Sequence, residues 1–392
     1  MDFFGIVYFS LVELSLLALL LIVFIIQLYF YIRYFMGIIR HNKRVLKGET
    51  EFLKEQPPVS VVICARDEEE NLRKFLPFVL EQDYPDYEVI VVNDGSTDDT
   101  DNFLSLMVKQ YEKLRTTFVP GGATNVSTKK LGLTLGIKGA KHDLLLFTDA
   151  DCMPEGKYWL ANMVRNFTPD TEFVLGYGGY LPKKGFLNKL IKYDTLFVAI
   201  QYLGMAATRR PYMGVGRNLA YRKSTFFNLK GFATTLNLMS GDDDLMVNRG
   251  ATSGNTAIEV SAESVTWSEP KTSFRNWYIQ KERHLSVSDR YNNGSKIRLV
   301  AEPLSRGIFY LAAIATGVIS VLSFNWIALG IVSLLFLIRY ALQLYVINKS
   351  AKIMGERKFY LTIPCFDIIL PVISLFILIF GKKNKNIRWK KL

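Results

Sequence analysis

Asp149 and Asp151 stand one residue apart in Thr148-Asp149-Ala150-Asp151, directly after a strand-like run from Asp143 to Phe147. Two carboxylates at that spacing, delivered by the end of a buried strand, can set hard oxygen ligands around Mg2+ or Mn2+. Such an ion normally shares the phosphates of a substrate. Further acidic groups occur at Asp67-Glu68-Glu69-Glu70, at Asp94 with Asp98 and Asp99, and at Gly241-Asp242-Asp243-Asp244-Leu245. Taken singly, the first two also read as helix N-termini or an Asp-Gly turn, where acidic side chains steady the backbone. Their shared placement after strand ends is what points to a site. Three adjacent carboxylates repel one another unless they are solvated, metal-bound or partly protonated, so one of Asp242 to Asp244 can serve as a base; a surface acidic turn is the alternative. Gln280-Lys281-Glu282-Arg283-His284 offers an amide, a guanidinium and a ring within about one helical turn. Arginine suits a diphosphate and the ring a sugar face. The chain has 3 histidines and no serine or cysteine nucleophile constellation, so His284 reads as a positioning group.

These side chains need a frame, and from Glu51 to about Arg298 short apolar runs alternate with helical stretches. That alternation predicts an α/β domain of βαβ units on a mostly parallel, Rossmann-like sheet. Val59 to Cys64 is a β-branched run typical of a strand buried on both faces. Leu72, Phe75, Leu76, Val79 and Leu80 follow at helical spacing, and Asp83-Tyr84-Pro85 stops them. A second strand, Glu88 to Val92, ends in Asn93-Asp94-Gly95-Ser96. Helices are expected over about Asp98 to Leu114 and over Lys130 to Ala140. In such sheets ligands bind outside the carboxyl ends of the strands, where the acidic groups lie.

The chain has 392 residues, 49% of them hydrophobic, and the apolar residues gather at the two ends. Leu14 to Ile26 carries no charge within a nearly all-apolar stretch from Phe3 to Ile39, which is long enough for a membrane helix. The stretch fits a signal peptide poorly, having no basic leader. Arg40, Lys43, Arg44 and Lys47 follow it, and the positive-inside rule then keeps the middle of the chain in the cytoplasm. Gly307 to Phe324, Trp326 to Ile347 and Leu361 to Phe380 are further candidates. Three C-terminal crossings would export a tail rich in Lys and Arg after Phe380. The last segment, with Pro364, Asp367 and Pro371, is therefore expected either to cross or to be re-entrant or interfacial. The expected organisation is an N-terminal helix and basic linker over 1–50, a cytoplasmic domain over 51–300, and a membrane region over 301–392. The net charge of +12 sits largely at membrane edges, where anionic headgroups attract it, and does not imply nucleic acid. Cys64, Cys152 and Cys365 are too scattered for a disulfide framework or zinc site.

Taken in order, the motifs resemble those of inverting family-2 glycosyltransferases, whose nucleotide-sugar fold is called GT-A. Val61 to Glu69 is similar to the opening strand and its turn, with Asp67 where Asn is commoner. Val92 to Asp98 resembles the second motif, with Asn93 where the first of two Asp usually stands. Thr148 to Asp151 resembles the Asp-x-Asp motif. Gly241 to Leu245 is similar to Glu-Asp-x-Asp-Leu, with Gly241 in place of Glu. Gln280-x-x-Arg283-His284 looks like Gln-x-x-Arg-Trp, with His in place of Trp. The segment Gly214 to Arg222 resembles a loop between donor and acceptor; a glycine-rich turn is its other reading.

The resemblance implies Asp242 as catalytic base and Asp151 as ligand of Mg2+ or Mn2+. It implies nucleotide-sugar contacts from Ala65, Asp67, Glu68, Asp94, Lys129, Asp149, Gln280 and Arg283, and acceptor contacts from Asn218, Asp243 and His284. The donor would be UDP- or GDP-linked. The acceptor would be lipid-linked or a membrane-proximal glycan at the plasma membrane, since Phe274 to Tyr278 with Arg275 and Lys281 reads as an interfacial patch contacting membrane lipids. Processive polysaccharide synthases of the cellulose or hyaluronan type share these motifs, and an inactive scaffold of the same fold is a further alternative. The missing Trp argues against processive synthesis.

Overall fold

The computed structural model describes residues 9–120 and 126–381, so the basic tail beyond Gly381 lies outside the described residues. The chain enters through α1 (Leu11–Phe30), continues without a break through a π-helical turn (Tyr31–Phe35), and ends this first element in α2 (Gly37–Leu46). The α/β domain then follows as β1 (Val59–Ala65), α3 (Glu69–Leu80), β2 (Tyr87–Asn93), α4 (Thr100–Gln110), β3 (Leu114–Phe118), α5 (Thr128–Gly139) and β4 (Leu144–Phe147). Shorter elements come next: β5 (Cys152–Pro154), α6 (Trp159–Val164), β6 (Phe173–Leu175) and β7 (Gly178–Tyr180), ahead of the long α7 (Phe186–Ala207). The domain closes with β8 (Leu219–Arg222), α8 (Lys223–Asn228), α9 (Asp244–Gly250), β9 (Thr256–Ile258), β10 (Thr266–Ser268) and α10 (Phe274–Leu285). Three long helices end the described chain: α11 (Asn293–Leu322), α12 (Trp326–Ile353) and α13 (Thr362–Phe380).

Alternation along the strands explains how one sheet makes two cores. In β1, Val59, Val61, Ile63 and Ala65 face α3, α4 and α6, while Val62 and Cys64 face α5. β2 divides in the same way, Val89 and Val91 to one side and Ile90 and Val92 to the other. With both faces covered, all seven residues of each strand are buried, which is why they read as continuous apolar runs. The sheet order is β3-β2-β1-β4-β8-β6-β9, parallel from β3 to β4, with β8 antiparallel to both its neighbours. A second sheet, β5-β10-β7, lies beside it. The result is the mostly parallel α/β sheet that the sequence predicts.

Among the described residues, four helical segments are long and apolar enough to cross a membrane: Leu11–Leu46, α11, α12 and α13. The predicted boundary at residue 300 falls inside α11, which begins seven residues earlier at Asn293. A buried polar cluster joins these helices. Asp367 of α13 accepts hydrogen bonds from Arg306 and Arg339, each at 2.8 Å, and from Tyr310 and Gln343; Arg339 also reaches Gln27 of α1. The loop between α12 and α13 is fastened to the α/β domain by Glu356. Its carboxylate bonds the Tyr177 hydroxyl and the Lys192 ammonium, each at 2.9 Å.

Candidate active site

The loops after β1 and β2 are tied to each other before either meets a ligand. Asp67 sits at φ +53°, a left-handed conformation that Asp and Asn tolerate better than most residues. Its backbone N–H donates to Ser96 Oγ at 3.0 Å, and its carboxylate accepts from Thr97 N at 2.6 Å and Thr97 Oγ1 at 3.1 Å. Glu68 is half-buried and accepts from Asn71, while its own N–H donates to Thr100 Oγ1. Ala65 presents only backbone here, its carbonyl accepting from Asp94 N at 2.8 Å. Asp94 is buried, takes a 2.7 Å bond from Thr128 Oγ1, and lies 3.9 Å from Arg66. Burial raises its pKa, against the pull of Thr128 and Arg66.

Lys129, in the first turn of α5, stands at the centre. Its ammonium lies 3.2 Å from Asp149 Oδ1 and 3.1 Å from Asp242 Oδ2, so one cation bridges the end of β4 and the acidic loop before α9. Burial opposes its charge, but Asp149, Asp242 and Asp243 outweigh burial and lift its pKa well above the usual lysine value. Asp242 feels the converse: burial works against ionisation, and Lys129 overcomes it and holds the carboxyl below its ordinary range. The next residue of α5, Lys130, is fully buried and donates to three carbonyls, Thr235 at 2.7 Å, Leu238 at 3.0 Å and Ser240 at 2.7 Å. It thereby fixes the loop that carries Asp242.

The three adjacent carboxylates have separate tasks. Asp242 faces the cleft and Lys129. Asp243 accepts from Gly216 N at 2.6 Å and from Asp244 N at 2.8 Å, so it holds the glycine-rich loop against the acidic one. Asp244 is buried against the Tyr291 hydroxyl at 2.7 Å, and burial together with Asp243 pushes its pKa to about 8.

Oxygens of Asp149 and Asp151 and the thiol of Cys152 lie within 4.8 Å of one another. Burial and the charge of Asp149 both raise the pKa of Asp151, the imbalance that a cation relieves. Cys152 donates to Asp151 Oδ1 at 3.5 Å and pairs with Ser268 Oγ at 2.9 Å, and burial keeps its thiol protonated. The two carboxylates therefore form a hard oxygen donor set that suits Mg2+ or Mn2+. Arg217 lies nearby: its guanidinium stacks 4.4 Å over the Tyr180 ring and donates to Gly179 O at 3.0 Å. Gln280 donates to the Tyr180 hydroxyl at 3.0 Å, which brings α10 to the same place. Arg283, one turn further on, has a buried Nε with no partner, and His284 is exposed beside it.

Two sequence readings change on contact with the structure. Asn218, expected near an acceptor, is fully buried, and its amide is used up by Tyr177 O, Ser264 O and Trp159 Nε1, so it locks the core beneath the glycine-rich loop. Lys281, read as part of an interfacial patch, pairs with Asp194 at 2.7 Å and ties α10 to α7. Arg217, Tyr180, Thr128 and Lys130 were not singled out from sequence. Only Arg217 carried a signal, as a cation inside Gly214 to Arg222.

A mixed sheet that gathers Asp67, Asp94 and Asp149 at the carboxyl ends of β1, β2 and β4, with an Asp-x-Asp turn after β4, is a nucleotide-sugar fold of the GT-A type. Residues 60–229 match the glycosyl transferase family 2 model, and the chain carries a family-2 glycosyltransferase domain. It is 25% identical over 273 residues to the probable glycosyltransferase YdaM of Bacillus subtilis, a match covering 66% of this chain and 62% of that protein. Shorter stretches match the beta-monoglucosyldiacylglycerol synthase of Nostoc (30% identity, 29% of this chain, 23% of that one) and glycosyltransferase AglE of Haloferax volcanii (33%, 26% and 33%). The chain thus spans less than two thirds of the length of each of these relatives. Among solved structures, the mannosyltransferase PcManGT of Pyrobaculum calidifontis, in complex with GDP-Man and Mn2+, shares the fold at a TM-score of 0.56. That match has 17% identity and covers 93% of this chain and 98% of that one.

Proposed function

We propose that this chain is a membrane-bound glycosyltransferase that moves a sugar from a nucleoside-diphosphate donor to a lipid-linked or membrane-proximal glycan acceptor, with inversion at the anomeric carbon. The domain faces the cytoplasm, beside the nucleotide pool. The observation that carries this reading is one half-buried lysine, Lys129, paired with both Asp149 and Asp242. In this reading the lysine holds a donor-side carboxylate and a base together in one cleft. Asp94 and the tied loops of Asp67 and Glu68 hold the nucleoside end, and Arg283 and Gln280 lie on the side from which α10 can reach a diphosphate. Asp151, with Asp149 beside it, would hold Mg2+ or Mn2+, which supplies charge neutralisation for a departing diphosphate. GDP-Man and Mn2+ in the Pyrobaculum structure are in keeping with a nucleotide-sugar and a divalent ion here.

Asp242 removes the proton of an acceptor hydroxyl, the freed oxygen bonds to the anomeric carbon from the face opposite the diphosphate, the bond from that carbon to the diphosphate oxygen breaks as the nucleoside diphosphate leaves, and the anomeric configuration inverts. Such a single displacement needs one base and no protein nucleophile. The purified protein is to be offered UDP- and GDP-sugars with and without lipid extract, and diphosphate release followed. Asp242→Asn should keep donor binding and lose turnover by at least about 100-fold, the scale of a lost general base. Near-normal turnover in that variant, or no release with any donor, would overturn the reading.

A further inference from the structure

The helix α13 has the composition of a fourth membrane span, with 19 residues and a length of about 28 Å, close to the hydrocarbon thickness of about 30 Å. Its contacts do not suit one. Near its start, the Phe366 ring packs against Phe186 at 5.5 Å and Tyr193 at 5.3 Å, both on α7 of the α/β domain. At its other end, a methyl group placed on Gly381 would lie 3.0 Å from the Glu282 carboxylate on α10, which belongs to the same domain. Lys281, next to Glu282, is bonded to Asp194, the neighbour of Tyr193, so the two ends of α13 lie against α7 and α10, two helices of the same domain that this ion pair ties together. A crossing helix would carry its far end to the opposite side of the bilayer.

The preceding hairpin already returns the chain. α11 leaves the α/β domain and α12 comes back to it, its following loop fastened by Glu356 to Lys192 and Tyr177. From there we propose that α13 does not cross. It lies in the plane of the leaflet beside the α/β domain, beneath α7 and α10, with its outer face among the acyl chains. Ile363, Phe366, Asp367, Leu370 and Ile377 form its protein-facing stripe, all buried. Val372, Leu375, Phe376, Ile379 and Phe380 are exposed and form its apolar outer face. Asp367 pins the helix at one point to Arg306 and Arg339 of the bundle. This arrangement leaves Gly381 on the side of the α/β domain, where the Lys- and Arg-rich sequence that follows satisfies the positive-inside rule. It does not depend on the proposed chemistry.

Cys365, Val372 and Ile379 are all exposed and lie at heptad spacing on one stripe, and Cys64 and Cys152 are buried. A bimane label on native Cys365, or on Val372→Cys or Ile379→Cys in a Cys365→Ser background, therefore reads depth against lipids carrying nitroxides at shallow and deep positions. The variants are first checked for monodispersity in detergent, and Cys365→Ser alone should take up no label. An in-plane helix gives the same depth at the three positions. A crossing helix separates Cys365 from Ile379 by about 21 Å along the normal and puts Val372 near the bilayer centre, and that gradient would overturn the proposal.

Discussion

Asp242 and Asp149 share Lys129, and this sharing makes the acid limb of activity a property of the lysine. A base must be ionised, and Lys129 holds Asp242 below its ordinary pKa against the effect of burial. In Lys129→Met, burial acts without its main counterweight, so the Asp242 pKa rises and the acid limb of kcat/KM moves to higher pH. The rate also falls, since the donor loses a cation, but the limb is the informative reading. A limb that stays in place would show that Asp242 is not the group titrating. Asp67, Asp94, Asp149 and Asp151 were legible in the sequence because they stand just past strand ends, whereas Lys129, at the start of α5, came only with the resemblance. The base was uncertain there by one position, since Gly241 occupies the place of a Glu. The structure explains the glycine: at φ +85°, with any β-carbon 2.6 Å from Leu245 Cδ1, a Glu cannot be built without moving the loop. Tyr180 was illegible for the opposite reason. It is one aromatic residue on a three-residue strand, brought in by pairing between β7 and the distant β10.

The helix that delivers Lys129 is set by how closely it approaches the sheet. A methyl group on Gly136 of α5 would lie 2.7 Å from Val62 Cγ1 and 3.0 Å from Val92 Cγ2, side chains of two central strands that cannot swing away. Overpacking of this kind costs about 1–3 kcal/mol, against roughly 1 kcal/mol gained from the better helix propensity of Ala. Gly136→Ala should therefore lower the melting temperature by about 2–4 °C and weaken donor binding, because α5 is pushed outward and takes Lys129 with it. A melting temperature that holds or rises would mean the sheet yields. The parallel strands β1, β2 and β4 were readable as elements because burial on both faces makes them apolar throughout. β3 was not anticipated, the predicted helix running as far as its first residue, since this edge strand, Leu-Arg-Thr-Thr-Phe, has only that first residue buried. The three-residue strands β5, β6, β7, β9 and β10 carry too little pattern to be seen at all.

Across the whole molecule, the α/β domain and the helical bundle are joined by buried charge rather than by apolar packing alone. Sequence showed Asp367 as an oddity in an apolar segment but not its partners, which come from helices 28 and 61 residues away. Arg306, Arg339, Glu302 and Asp367 sum to zero charge, with Arg306 bonded to both acids and Arg339 to Asp367 only among the ionised groups. Neutralising Asp367 leaves Arg339, 2% exposed, as a buried cation with only amide and hydroxyl partners. Breaking a buried pair by removing one partner typically costs about 3–5 kcal/mol. Asp367→Asn should thus lose that much stability in detergent, read by thermal or denaturant unfolding. Arg339→Gln added to it removes the stranded charge and leaves the Arg306–Glu302 pair whole, so the double variant should regain most of the loss. If the two substitutions instead add, the cluster acts through shape and hydrogen bonding, and charge balance is not what holds α13 to the bundle.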